Sequence, residues 1–176
     1  MTLPNVITLA RLALIIPLAI ALEGGHAMVA LALFAFASAT DWVDGYLARK
    51  LNQTSALGAL LDPLVDKILV TAALAGLTYQ GVIPAWTMTV VLSREFLITG
   101  LRAAAINAGI VLSASIWGKL KTVTQMAAII LLLASDALPS WKPVALGVWW
   151  LAIAFTIGSG VEYLWQTRTI WKNPSA

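Results

Sequence analysis

No cysteine occurs among the 176 residues, so the chain has no disulfide framework and no thiolate chemistry. Charge is scarce as well: Asp, Glu, Lys and Arg make up 11% of the chain, against about 25% in a soluble domain. So few charges cannot cover an aqueous surface. With 60% apolar residues and a mean hydropathy of +0.89, the chain belongs in a bilayer. There is one histidine, His26, read as a loop residue. No linker or low-complexity stretch divides residues 1–176, which points to one integral membrane domain. The net charge of +3 is small and the basic residues are scattered, which excludes a nucleic-acid surface. The first apolar run opens with Pro4-Asn5, contains Arg11 and lacks an A-x-A site, so a cleaved leader is not expected.

Six apolar runs are present: about Asn5–Leu22, Met28–Leu47, Leu57–Tyr79, Ala85–Ile106, Gly118–Ala134 and Val144–Trp165. A span needs ~20 residues, so the expected fold is an all-α bundle of six transmembrane helices. Basic residues orient it. Arg11, Arg49, Lys50, Arg102, Lys119, Lys121, Arg168 and Lys172 fall near one set of ends, whereas the opposite loops offer Lys142. The positive-inside rule then puts both termini in the cytoplasm. Trp86, Trp117, Trp141, Trp165 and Trp171 lie near run ends, where indole rings anchor helices in the interface.

The most polar stretch interrupts this pattern between Asp41 and Asp66. On a helix, Asp41, Asp44, Gly45 and Ala48 share one face by the i, i+3, i+4 rule, and Gly58, Asp62 and Asp66 form a second stripe at i, i+4, i+8. Four acids on two neighbouring apolar helices repel one another unless a cation lies between them. Hard oxygen ligands suit Mg²⁺ or Mn²⁺. Gly45, Ala48 and Gly58 leave room for a bulky ligand to approach the backbone, and Arg49 supplies charge for a phosphate. Together these features read as a metal-assisted phosphoryl-transfer site at the cytoplasmic face.

The pattern D-x2-D-G-x2-A-R-x8-G-x3-D-x3-D resembles the signature of the CDP-alcohol phosphatidyltransferases at every fixed position. That resemblance implies a six-span bundle, a homodimer and a site holding two divalent ions. It implies that Asp41, Asp44 and Asp62 hold the ions, and that Asp66 touches the metal site and accepts the proton of the acceptor alcohol. Gly45, Arg49 and Ser55 match positions that contact the CDP group, as does the region of Asn5. Ala48 and Gly58 belong to the same CDP-lipid pocket. An alcohol is a weak nucleophile near neutral pH, so a carboxylate within hydrogen-bond reach is a sensible base. Direct displacement by the alcohol, with CMP leaving, needs no covalent enzyme intermediate.

The signature does not choose the alcohol. Arg94, Arg102, Lys119 and Lys121 on runs four and five suit an acceptor that carries its own phosphate, or else serve topology alone. An Arg at mid-membrane costs about 2.5 kcal/mol or more, so Arg94 should meet Glu95, another helix's acid or a ligand anion. The strings Pro4-Asn5-Val-Ile-Thr8-Leu-Ala-Arg11, Ser93 to Arg102 and Ser115 to Thr122 are similar to the bacterial phosphatidylglycerophosphate synthase branch of the family. This implies CDP-diacylglycerol and sn-glycerol 3-phosphate as substrates, and an active site facing the cytoplasm from the bacterial inner membrane. Rival acceptors within the family are serine, inositol, inositol phosphate and phosphatidylglycerol, the last as in cardiolipin synthesis. From another class, a cation or proton carrier would spread its acids through the membrane depth and give Gly45, Ala48 and Arg49 no role.

Overall fold

A computed structural model describes residues 3–51, 56–107 and 115–168; within these, the side chains of 3–5, 41–51, 56, 57, 59, 60 and 107 are outside the description. Among the described residues there are six α-helices and no strand. They are α1 (Leu3–Glu23), α2 (Ala27–Leu51), α3 (Ala56–Tyr79), α4 (Ala85–Asn107), α5 (Ile116–Ala134) and α6 (Lys142–Gln166), the last preceded by a 3₁₀ turn at Pro139–Trp141. The all-α expectation holds, and each run became a helix. The helices outlast the runs at their ends. Arg49 and Lys50 continue α2, which ends at Leu51.

Among the described residues, three segments are long and apolar enough to cross a membrane: Val6–Glu23, Ile116–Ala134 and Pro139–Gln166. Helices α3 and α4 have the length but carry three charges each: Asp62, Asp66 and Lys67 on α3, and Arg94, Glu95 and Arg102 on α4. Large apolar side chains point outwards, including Ile16 at 67% exposure and Phe96 at 68%. That is a liability in water and costs nothing against lipid. Trp86, Trp117, Trp141 and Trp165 are exposed as expected of anchors, and Trp171 lies outside the described residues.

The chain forms two compact units. In the first, residues 1–83 with 132–140, α1 packs on both α2 and α3, and α2 meets α3. The buried stripe of α1 is Thr8, Arg11, Ile15, Leu18 and Leu22, a 3.5-residue repeat that begins polar and ends apolar. Lipid gives helices no hydrophobic reason to associate, so close backbone approach and interhelical hydrogen bonds matter more. Both occur here. A Cβ on Gly76 would lie 2.6 Å from the Cβ of Leu22, and Gln80 Nε2 donates to the carbonyl of Leu22 at 2.6 Å. Helices α1 and α3 end in the same way, with Gly25 at φ 72° and Gly81 at φ 70°. His26 N donates to Ala21 O at 2.8 Å and Val82 N to Leu77 O at 2.9 Å. These are Schellman closures that need a residue without Cβ in the left-handed region.

The second unit comprises 84–131 and 141–176, with α4 packed on α6. The buried stripe of α6 runs Ala145, Trp149, Ala152, Thr156, Ser159 and Tyr163, apolar first and polar towards its C-terminal end. Helix α5 starts at Ile116 because Ser115 caps it: Trp117 N donates to Ser115 Oγ at 3.1 Å, the N-cap to N2 bond that favours serine there.

Candidate active site

Helix α3 carries Gly58, Asp62 and Asp66 on one stripe. Gly58 is buried and both carboxylates are half-buried. Asp62 does not stand alone: Thr8 on α1 donates a 2.7 Å hydrogen bond to its Oδ1. One turn further along α1, Arg11 is 1% exposed on the same stripe as Thr8. The polar start of the α1 stripe therefore faces the polar part of α3. Helix α2, which packs against α3, has regular helical backbone at Asp41, Asp44, Gly45, Ala48 and Arg49. The side chains of these five residues and of Asn5 are outside the description, and Ser55 lies wholly outside it. Among the described residues, no group of three acids or histidines is assembled, because only Asp62 and Asp66 of the four acids have described side chains.

In the second unit the basic residues separate into two kinds. Arg94 and Lys121 share one acid. Arg94 Nη1 lies 3.0 Å and Lys121 Nζ 2.5 Å from the same Glu95 oxygen. Arg94 also donates from Nε to Ser159 Oγ at 3.2 Å. Its side chain passes between two glycines: a Cβ at Gly118 or at Gly160 would lie 3.6 Å from it. Mid-helix Arg94 has thus found Glu95, one of the partners its cost demanded. Arg102 and Lys119 are exposed. Arg102 donates from Nη2 to the hydroxyl of Tyr163, and its guanidinium lies 5.2 Å from the centre of that ring; Arg94 lies 5.7 Å from the same centre. Nearby, Ser115 Oγ donates to Glu162 Oε2.

The polar partners that sequence reasoning missed are Thr8, Ser159 and Tyr163. A signal existed for each. Thr8 with Arg11, and Ser159 with Glu162 and Tyr163, are polar residues three or four apart in apolar runs, which a helix gathers on one face.

A sequence profile described as CDP-alcohol phosphatidyltransferase matches residues 1–158. The chain is 45% identical to a Bacillus subtilis protein named CDP-diacylglycerol–glycerol-3-phosphate 3-phosphatidyltransferase, covering 92% of each chain. A protein of the same name from Pseudomonas fluorescens is 38% identical over 97% of this chain and 91% of its own. A putative cardiolipin synthase from Mycobacterium bovis is 34% identical over 94% of this chain and 78% of its own.

Proposed function

The chain belongs to the CDP-alcohol phosphatidyltransferase family, and on that premise we propose that it transfers the phosphatidyl group of CDP-diacylglycerol to sn-glycerol 3-phosphate, releasing CMP. The observation that carries this reading is the 45% identity, over 92% of both chains, to a protein named for that reaction. The phosphate-bearing acceptor also accounts for an excess of positive charge on α4 and α5.

The family uses divalent metals generally, and the donor chemistry here fits them. Asp62 and Asp66 stand one turn apart on α3, and Asp62 retains lone pairs beyond the one engaged by Thr8. The other two acids, Asp41 and Asp44, belong to the helix packed on α3. Asp41, Asp44, Asp62 and Asp66 would hold two Mg²⁺ or Mn²⁺ ions. Bound there, the ions would neutralise the liponucleotide pyrophosphate and polarise the attacked phosphorus. Asp66 takes the proton of the acceptor hydroxyl as its oxygen bonds to the lipid-bearing phosphorus. The phosphorus–oxygen bond to CMP breaks in the same displacement, and the electron pair leaves with CMP. Arg49 balances charge on the departing nucleotide, while Asn5, Gly45, Ala48, Ser55 and Gly58 shape the CDP-lipid pocket. Arg94, Arg102, Lys119 and Lys121 receive the acceptor phosphate.

The same reading makes the chain one six-span domain of the bacterial cytoplasmic membrane, a homodimer with its termini and site on the cytoplasmic side. The one-sided distribution of basic residues supports that orientation. The test is CMP release by purified protein given CDP-diacylglycerol, Mg²⁺ or Mn²⁺ and a panel of acceptors. Release that depends on glycerol 3-phosphate is expected. Release with phosphatidylglycerol, serine or inositol phosphate, and none with glycerol 3-phosphate, would overturn the assignment.

A further inference from the structure

We infer that Tyr163, past the end of the family match, is a positioning residue for the acceptor phosphate, acting through Arg102; this rests on the reading of glycerol 3-phosphate as acceptor. Tyr163 is 1% exposed and packs with Ile98 and Leu101 of α4. Its ring and hydroxyl are used differently. The ring face lies within 6 Å of two guanidinium groups, at 5.2 Å for Arg102 and 5.7 Å for Arg94. An aromatic quadrupole attracts cations over that range, so one ring draws on both guanidinium groups. The hydroxyl fixes one of them, since Arg102 donates to it from Nη2.

Arg94 is restrained on every side by Glu95, Ser159 and the ring. Ser159 gives its own proton to the Thr156 carbonyl at 3.0 Å, which leaves its oxygen to accept from Arg94. Arg102 has no such set. Among the described residues its one hydrogen bond is to Tyr163, and it forms no ion pair. A guanidinium has five N–H donors, and one bond to a phenol leaves four for an anion. A phosphate monoester suits that fork because it takes two parallel N–H bonds. An Arg already held in place loses less rotamer freedom when it binds, and that saving appears as affinity. The residues doing this work, Ser159 and Tyr163, lie beyond residue 158, where the family profile stops. Acceptor choice is therefore set in part by the C-terminal end of α6.

The test compares wild type, Tyr163→Phe, Arg102→Ala and the double variant in CMP release, varying glycerol 3-phosphate and CDP-diacylglycerol separately. Tyr163→Phe keeps the ring and its packing and removes the hydroxyl. It should raise the KM for glycerol 3-phosphate by about three- to tenfold, the net scale of one ordinary hydrogen bond, with kcat and the KM for CDP-diacylglycerol within about twofold. Arg102→Ala should raise the same KM further, and Tyr163→Phe should then add nothing, because the hydroxyl works through Arg102. An unchanged KM in Tyr163→Phe, a uniform fall in kcat with a lowered melting temperature, or additive effects in the double variant would overturn the inference. Wild type that releases CMP without any dependence on glycerol 3-phosphate would instead overturn the acceptor reading beneath it.

Discussion

Thr8 on α1 donates a 2.7 Å hydrogen bond to Oδ1 of Asp62 on α3, across 54 residues of sequence. A carboxylate that is to hold a metal must be oriented, and partners of this kind typically matter by about 10- to 100-fold in metal affinity or activity. Thr8→Val keeps the volume and loses the hydroxyl. It should weaken apparent Mg²⁺ affinity by about tenfold, read by metal titration of both CMP release and thermal stability, and Thr8→Ser should restore most of it. Equal metal titration curves for Thr8→Val and wild type would reduce this bond to packing.

The close approach of α1 and α3 rests on a missing Cβ. Gly76→Ala would set a methyl group 2.6 Å from Leu22 Cβ and Cδ1, too near to be relieved by rotating a flexible tip. Overpacking of this kind costs about 1–3 kcal/mol. Thermal unfolding in detergent should show the loss. Gly147→Ala, on a glycine with open space beside it, is the matched control and should leave the melting temperature nearly unchanged.

Glu95 holds two cations, so its removal should be felt twice. Glu95→Gln leaves Arg94 and Lys121 facing each other without their shared acid. Losing charged hydrogen bonds in a largely buried setting should destabilise the protein by about 1–3 kcal/mol. Lys121→Met in the same protein should return part of that loss, giving a coupling of about 0.5 kcal/mol or more. Strict additivity of the two melting shifts would contradict the shared-acid arrangement.

The sequence reading reached the helices because each apolar run is near span length and ends in Gly, Pro or charge. It placed helix ends less well. The start of α5 depends on the Ser115 cap, which hydropathy does not register. The acids were legible as a cluster because their spacing puts them on two helical faces. Their partner Thr8 was not, since a threonine in an apolar run looks like any other small residue until α1 is packed on α3. The alternatives for Arg94 included Glu95, its neighbour, but Lys121 on the same carboxylate and Ser159 from α6 are tertiary facts. Tyr163 lay furthest from view, 61 residues from Arg102.

The role proposed for Asp66 separates binding from turnover. Asp66→Asn should lower kcat by at least about 100-fold, the lower range for a general base, while CDP-diacylglycerol still protects the protein against heat. Turnover that survives the substitution would place the base elsewhere. Direct displacement further requires that labelled CMP not exchange into CDP-diacylglycerol when no acceptor is present. Such exchange would reveal a phosphatidyl-enzyme intermediate.

The central claim concerns where the acceptor ends up. Purified protein in mixed micelles should be given CDP-diacylglycerol, divalent metal and glycerol 3-phosphate labelled in its glycerol carbon, and the solvent-extractable label compared with the CMP released. One labelled lipid molecule per CMP, bearing a phosphomonoester that a phosphatase removes, is the predicted result. CMP released with no label in the lipid, or lipid labelled only when a different, labelled alcohol replaces glycerol 3-phosphate, would contradict it.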